Sequence, residues 1–539
     1  MIKASKKIRY LFSILSGILL VLSFPFTGSL TPLAFVAWVP ILLVEDQIHN
    51  QRYRSGKVFI HAYLTFFIYN IGTTWWVYNA SPEGSLMAFF ANTLLMTVVF
   101  YFFHLTKKYV GKKEGFIALI IYWVGFEYFH YNWESSWPWL TLGNVFSIRT
   151  TWVQWYSFTG TLGGSIWILI INLLAFRVAT NVFVKKETWR IQTPIFYLIV
   201  AFLFIPIATS LYSFFSYEEA KRPMEVVVVQ PNIDPYEEKF NSSVFGQLDK
   251  TFDLAKKAVT SKTELIVAPE TAIWRSFDEA AVNNGLSYAN NIRQYLIQQK
   301  QELNNTSICI GASTHRLFKE KNSIASFPLQ FGNGFYENYN TSVLLNNKDE
   351  LSFVHKSKLV PGVEKIPFAS TFSFLEDLAI DLGGTSGTLG TENEPQVLTI
   401  NGSTFAPVIC YESAFGEFVS IQCRKGAEFI CIITNDGWWR DTPGYKQHMS
   451  FASLRAIENR RDVVRSANTG VSCFVDQRGT IIQPTPWWKE AVIRGSINLN
   501  SELSFYSKYG DFFGRSFAFV AILLLLYTFV KRFRKIFGK

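Results

Sequence analysis

Cysteine is scarce in this chain, and its spacing narrows the chemistry. The 539 residues hold five (Cys309, Cys410, Cys423, Cys431 and Cys473), an odd number with no CxxC pair. That argues against a zinc site and against a dense disulfide framework, and it leaves at least one thiol free. No metal and no cofactor are expected. A small-residue cleavage site after the first apolar run is also lacking, which disfavours a cleaved signal peptide and favours a retained span. What the chain has in excess is apolar surface: 49% hydrophobic and 17% aromatic residues suit an integral membrane protein with a further domain attached. The net charge of +10 does not imply nucleic acid, because the basic residues fall in short clusters beside apolar runs.

Apolar runs cover residues 10–26, 30–44, 58–77, 86–105, 116–129, 162–183, 194–212 and, far away, 512–530. Some are shorter than the roughly 20 residues a bilayer demands. Lys and Arg collect in cytoplasmic loops, and alternate segments here are basic. These are Lys3, Lys6, Lys7 and Arg9; Arg52, Arg54 and Lys57; Lys107, Lys108, Lys112 and Lys113; Lys185, Lys186 and Arg190; and the tail Lys531, Arg532, Arg534, Lys535 and Lys539. The intervening loops are nearly bare of them. Eight spans with both termini inside fit this alternation. The expected organisation is seven spans in 1–215, an extracytoplasmic catalytic domain in 222–506, a last span in 512–530 and a basic cytoplasmic tail in 531–539. In a bacterial inner membrane the catalytic domain would then be periplasmic, where no ATP is available. The loop 130–156 carries Trp133, Trp137, Trp139, Trp152 and Trp155, a density suited to headgroup depth; Trp152 and Trp155 read as an aromatic belt. Glu127 stands inside an apolar run, where ionisable groups are costly and often functional unless they sit at the interface.

From Met224 the composition turns to that of an α/β domain. Short apolar runs at 225–229, 265–268, 308–312, 341–345, 405–409, 429–434, 463–467, 473–476 and 492–497 read as strands. The stretches 243–261, 278–304 and 447–460 read as helices. A layered architecture of about 280 residues follows, uninterrupted by repeats or low-complexity tracts.

The chain is organised around residues 406–416, APVICYESAFG, where a strand delivers Cys410 to a turn. Glu270 closes LIVAPET and Lys356 sits in HKSKLVPGVEKIPF. A carboxylate, an ammonium and a thiol at strand ends make a coherent nucleophilic site. The Glu takes the thiol proton, and the Lys stabilises thiolate and oxyanion.

PE at a strand end, then KxxLVPxxE, CYE and NDGW in that order resemble the nitrilase superfamily, with its Glu-Lys-Cys triad on a four-layer α-β-β-α sandwich. With spans before and after that domain, the WPWLTLGN loop at 137–144 and QPNI at 230–233, the chain resembles the apolipoprotein N-acyltransferase family over nearly its whole length. The resemblance implies transfer of an acyl chain from a phospholipid, typically phosphatidylethanolamine, to the α-amine of the diacylglyceryl-cysteine that begins a bacterial lipoprotein. It implies Glu270 as base, Lys356 as electrostatic stabiliser and Cys410 as the nucleophile that becomes a thioester. Glu364 matches a second essential carboxylate, Tyr411 and Glu412 complete CYE, and Asn340, Trp438 and Arg461 match further family positions. The family often reads LVPFGE where this chain has LVPGVE at 359–364, but the Lys-to-Glu spacing is kept. An acyl ester already holds the energy ATP would supply, and ping-pong order follows. The protein is expected to act as a monomer in the membrane.

A membrane-tethered nitrilase-type amidase is the alternative enzyme. A transporter or lipid receptor is disfavoured, since charged or broken central helices in paired positions are missing and Glu270, Lys356 and Cys410 survive together. His448 is expected to pack or cap and Asp436 to cap a turn. Trp487 and Trp488 are expected at a surface lip, and Cys423, Cys431 and Cys473 are read as structural thiols.

Overall fold

The computed structural model describes residues 5–219, 221–368 and 388–537; Lys3 and Lys539 of the basic clusters lie outside the described residues. The chain forms two compact units, one of Met1–Tyr78, Ser85–Ser216 and Asp511–Lys539, the other of Asn79–Gly84 and Tyr217–Gly510.

The first unit is helical: Lys6–Ser23, Val39–Asn50, Gly56–Thr74, Asn92–Tyr109, Lys112–Tyr131, Thr161–Ala179, Trp189–Ser216 and Phe512–Phe537 are its long elements. Among the described residues, five stretches are long and apolar enough to cross a membrane: Thr31–Asn50, Gly84–Tyr109, Thr161–Val184, Trp189–Ser216 and Phe512–Lys535. The expected spans at 10–26, 58–77 and 116–129 are also helices, but they carry more charged and polar residues. The run at 30–44 departs from expectation. It breaks into a 3₁₀ turn, Thr31–Phe35, and a helix that starts only at Val39 and continues to Asn50. Pro32 and Pro40 each stand in the first turn of their element, where the missing N–H has no intrahelical acceptor to lose.

Glu127 is buried in the helix Lys112–Tyr131. Its Oε1 accepts from Trp123 Nε1 at 3.0 Å and from the Leu142 N–H at 2.8 Å, which ties the WPWLTLGN loop to the helix. Within that loop Asn144 Nδ2 donates to the carbonyls of Pro138 (3.0 Å) and Trp139 (3.1 Å). Glu127→Ala strands two buried donors, each worth about 1–3 kcal/mol. The variant is expected to unfold several degrees lower in detergent, with Glu127→Gln recovering most of the loss because its Oε1 still accepts. Equal melting of all three proteins would refute the anchoring role. Trp152 and Trp155 are half-buried, and Trp155 meets Tyr156 and Trp167 edge-on at 4.9 and 5.6 Å, so its ring packs within the bundle as well as facing outward.

Among the described residues the second unit holds fourteen strands: β1 Pro223–Gln230, β2 Thr263–Val267, β3 Ile273–Asp278, β4 Ser307–Phe318, β5 Phe327–Pro328, β6 Phe335–Leu345, β7 Leu351–His355, β8 Leu398–Ile400, β9 Ser403–Ile409, β10 Phe429–Thr434, β11 Val463–Ala467, β12 Cys473–Val475, β13 Ile481–Ile482 and β14 Ala491–Asn498. One sheet runs β14-β1-β2-β4-β6-β5, with β3 on β4 and β7 on β6; the other runs β13-β12-β11-β10-β9-β8. All nine strands expected from the sequence are present. The short β3, β5, β7, β8 and β13 are added, as is the two-turn helix Gly416–Arg424.

Alternation along β1 explains the layering. Val226 and Val228 point into a core shared with Phe405, Phe429, Cys431 and Val464 of the second sheet. Val227 and Val229 point the other way, into a core with Leu248 and Phe252 of the helix Val244–Lys256 and Ile292 and Leu296 of the helix Tyr288–Glu302. A strand with two apolar faces must be covered on both, and the result is an α-β-β-α sandwich. The expected helix at 278–304 starts late: Asp278 still ends β3, and Ser287 caps Tyr288–Glu302 by accepting from the Asn290 N–H at 2.9 Å.

Candidate active site

Three strand ends converge. β2 and β4 are parallel, and β7 is antiparallel to β6, itself antiparallel to β4, so β2 and β7 end at the same edge of the first sheet. Glu270 follows β2 and Lys356 follows β7. Cys410 follows β9 in the second sheet. Together they line one cavity of about 130 Å³.

The Glu270 turn is seated against β4 by Gly311. A Cβ there would come within 2.5 Å of the Glu270 Cα, so only glycine permits the approach. Thr271 beside it has φ +49°. Glu270 Oε1 accepts from Asn340 Nδ2 at 2.7 Å and Lys356 Nζ at 3.2 Å, and Oε2 accepts from the Asn435 N–H at 3.0 Å. Lys356 Nζ also donates to Glu364 Oε1 at 2.7 Å, whose second oxygen accepts from the Val360 N–H at 2.9 Å. Burial by itself would lower Lys356, but the charges of Glu270 and Glu364 hold its ammonium well above the usual lysine range.

Cys410 sits at φ +52°, a left-handed conformation costly for a residue with a side chain. The strain turns the thiol out of the strand, the geometry of a nucleophile elbow. Glu412 holds that turn. Its Oε2 accepts from the Ile409 N–H at 2.8 Å, and its Oε1 accepts from the N–H groups of Ser357 (2.6 Å) and Lys358 (3.2 Å). One carboxylate thereby ties the Cys410 turn to the Lys356 turn across the two sheets. Burial pushes it up to about 7 against those hydrogen bonds.

Behind the Cys410 turn, His448 Nε2 lies 3.0 Å from the Cys410 carbonyl and 2.8 Å from Ser413 Oγ, while its Nδ1 lies 2.9 Å from Asp436 Oδ1. Arg465 Nη2 donates to Asp436 Oδ2 at 2.6 Å. Burial would raise Asp436, yet Arg465 and His448 hold it well below the usual carboxylate range. The packing role expected of His448 is thus a specific one, bracing the Cys410 turn. Asp436 is part of the same brace.

Trp438 lines the cavity with Phe240, Trp274 and Trp439; its ring is 6.5 Å from Phe240, which meets Trp274 at 5.8 Å. Asn340 and Glu364 line it as well. Tyr411 is buried beside Phe415, ring centroids 5.2 Å apart, and is not among the lining residues. Arg461 is not brought to the cavity. Its guanidinium is buried and donates to the carbonyls of Ala427 (2.8 Å), Asn459 (3.2 Å), Arg460 (3.1 Å) and Glu502 (2.7 Å), which ties its own segment to two others. Trp487 and Trp488 are half-exposed and stand apart from it, Trp487 stacked on Tyr445 at 3.8 Å. Lys239, Phe240, Trp274 and Ala80 of the Asn79–Gly84 segment line the cavity without having been singled out in the sequence. QPNI just upstream was the nearest signal for the first two.

Burial, then the Glu270 charge, push the Cys410 thiol well above the usual range, and Lys356 only partly opposes them. Cys410 is therefore favoured as a thiol, in a cavity that Glu270 and Lys356 also line. Alkylation of Cys410 by iodoacetamide, followed by peptide mass spectrometry, is expected to accelerate steadily past pH ~8.5, the ordinary thiol value. A plateau near neutrality would mean a preformed thiolate.

The sequence model of the carbon-nitrogen hydrolase family matches residues 225–504, and that of the apolipoprotein N-acyltransferase N-terminal domain matches residues 16–174. An apolipoprotein N-acyltransferase of Chlorobaculum tepidum is 30% identical over 93% of each chain. One from Geobacter metallireducens is 28% identical over 94% of this chain and 92% of its own. With both halves matched and the relatives aligned over nearly their full length, this chain belongs to the apolipoprotein N-acyltransferase family.

Proposed function

We propose that this N-acyltransferase moves an acyl chain from a phospholipid, with phosphatidylethanolamine as the donor, to the N-terminal amine of a lipoprotein's diacylglyceryl-cysteine through a thioester on Cys410. The observation that carries this reading is a single cavity lined by Cys410, Glu270 and Lys356, with the lysine ammonium bonded to both Glu270 and Glu364. Glu270 accepts the Cys410 proton as sulfur attacks the ester carbonyl. The C–S bond forms, the C–O bond breaks, and Glu270 returns the proton to the departing lysophospholipid. The lipoprotein amine then attacks the thioester; C–N forms, C–S breaks, and Glu270 takes the amine's proton and passes it to the departing Cys410 thiolate, restoring the thiol. Lys356 stabilises the oxyanion in both halves, Glu364 holds Lys356, and Asn340 aims Glu270. Glu412 positions the two turns, Tyr411 and Arg461 maintain their surroundings, and Trp438 walls the cavity.

The cavity is small beside the 300–1,000 Å³ of a typical ligand site, so it suits the reacting ester and not the chains attached to it. Keeping acyl chains in lipid avoids about 0.8 kcal/mol per exposed CH2. The loop charges support eight spans with both termini cytoplasmic and the catalytic unit on the periplasmic face of the inner membrane. A monomer contains every residue named here. The match of residues 16–174 to the acyltransferase N-terminal domain favours this reading over a water-using amidase.

The test is to incubate purified enzyme with phospholipid and no acceptor, then read intact mass. The expected result is one acyl chain on Cys410, released as amide when a diacylglyceryl peptide is added. Rapid loss to water as free fatty acid would favour the amidase, and absence of any adduct would refute the thioester.

A further inference from the structure

Two buried lysines line the cavity, and they are satisfied very differently. Lys356 has Glu270 at 3.2 Å and Glu364 at 2.7 Å. Lys239 is 3% exposed, and its ammonium donates to the Thr271 hydroxyl. Among the described residues no carboxylate oxygen lies within 4.0 Å of it. Its backbone is fixed: the Lys239 N–H donates to the Asp234 carbonyl at 2.8 Å, and the Lys239 carbonyl accepts from Gln247 Nε2 at 2.7 Å. A lysine built into place with two of its three donors unused is not a surface residue folded inward by chance. A second unused donor lines the same cavity: Asn435 Nδ2 is buried with no hydrogen-bond partner.

A buried ammonium without a counter-charge is costly, and the cost is removed when an anion arrives. Burial lowers Lys239 to about 8, with Glu270 opposing, so the group is still mostly cationic at neutral pH. Neither Glu270 nor Glu364 supplies the missing anion, since both are held by Lys356. On the reading above, the donor is a glycerophospholipid, in which a three-carbon glycerol joins the reacting ester to a phosphodiester monoanion. Both ends of that short unit must be held near one cavity, and the cavity of Cys410 offers one cation not already paired.

We propose that Lys239 is the phosphodiester-binding group of the donor site, its ammonium taking a non-bridging phosphate oxygen of the phospholipid whose ester faces Cys410. This rests on the thioester mechanism and adds how the enzyme selects a phospholipid over a neutral ester. Phe240, next in the chain, puts its ring between Trp274 and Trp438 on the cavity wall, so the same loop contributes the cation and an apolar surface.

The experiment compares full-length wild-type enzyme with Lys239→Met and Lys239→Arg, using a phospholipid and a neutral p-nitrophenyl fatty ester as alternative donors. The rate constant for Cys410 acylation at subsaturating donor is read by intact mass. The ratio of phospholipid to neutral-ester rate constants is expected to fall about 10- to 100-fold in Lys239→Met and to recover substantially in Lys239→Arg. Lys239→Gln, which keeps a donor to Thr271 without the charge, replaces the Met variant if that does not fold. An unchanged ratio, whether both rates fall together or neither falls, would overturn the proposal; a joint fall would instead assign Lys239 to the chemistry at Cys410. Wild-type enzyme that forms no adduct with phospholipid would overturn the thioester reading itself.

Discussion

Cys410→Ala is expected to remove the acyl adduct entirely and to lower lipoprotein acylation by about ten-thousand-fold or more, the scale seen when a covalent nucleophile is deleted. The fold is expected to survive, because the strained φ of +52° is set by the β9 turn and by Glu412, which accepts from the Ile409 N–H. Alanine tolerates that conformation about as well as cysteine and removes only one atom from a nearly buried site. Cys410→Ser should also lose most activity: with Glu270 as base, a hydroxyl must be deprotonated from a far higher pKa than a thiol. Measuring adduct by mass and stability by thermal unfolding separates chemistry from folding. Appreciable turnover by the alanine variant would end the covalent mechanism.

Lys356→Met is expected to be comparably damaging, for two additive reasons. Loss of an oxyanion donor costs about 10²–10³ in rate. In addition, Glu270 and Glu364 lose the cation that lies 3.2 and 2.7 Å away, and a buried and a part-buried carboxylate are left in one cavity without it. Breaking a buried pair in this way costs about 3–5 kcal/mol unless a proton is taken up instead. Proton uptake by Glu270 would remove the base, so the rate should fall by more than the oxyanion term alone. The variant is therefore expected to melt at lower temperature and to acylate Cys410 at least a thousandfold more slowly. Glu364→Gln should show a smaller loss in both, because Lys356 keeps Glu270 and gains an amide oxygen. If Lys356→Met acylates Cys410 at near wild-type rate, the lysine is structural only.

β1 was legible as a strand because VVVV is a short β-branched run bounded by turn residues; that both its faces are covered came from the structure. The nine strands found in the sequence are short runs rich in Val, Ile, Leu and Phe bounded by turn residues. β8 and β13 are two or three residues long, and β7 mixes Ser and His into LSFVH, so none carries enough pattern to stand out. Helix starts were misplaced for a similar reason: the polar residues between β3 and Tyr288 look helical, but Ser287 sets the cap.

Glu270 and Cys410 could be named because each is the first chemically active residue after an apolar run, whereas Lys356, which follows His355 at the end of the weakly patterned β7, was named from the KxxLVPxxE motif in an order that matches a family. Arg461 shows where that reasoning stops. It shares the motif region, yet its donors go to four backbone carbonyls away from the cavity, a choice made by neighbours distant in sequence.

The sequence by itself determined that a greasy bundle carries a layered α/β domain, and its motifs picked out one thiol, one carboxylate and one ammonium. These follow from local chemistry, since a few adjacent side chains suffice to make a strand or a span. Packing decided the rest. Glu412 bridges two turns more than fifty residues apart, His448 braces a carbonyl on another element, and Lys239 is left as a buried cation facing Cys410's cavity. Distance along the chain says nothing about such meetings, because they depend on how two sheets stack and which loops the stacking presses together.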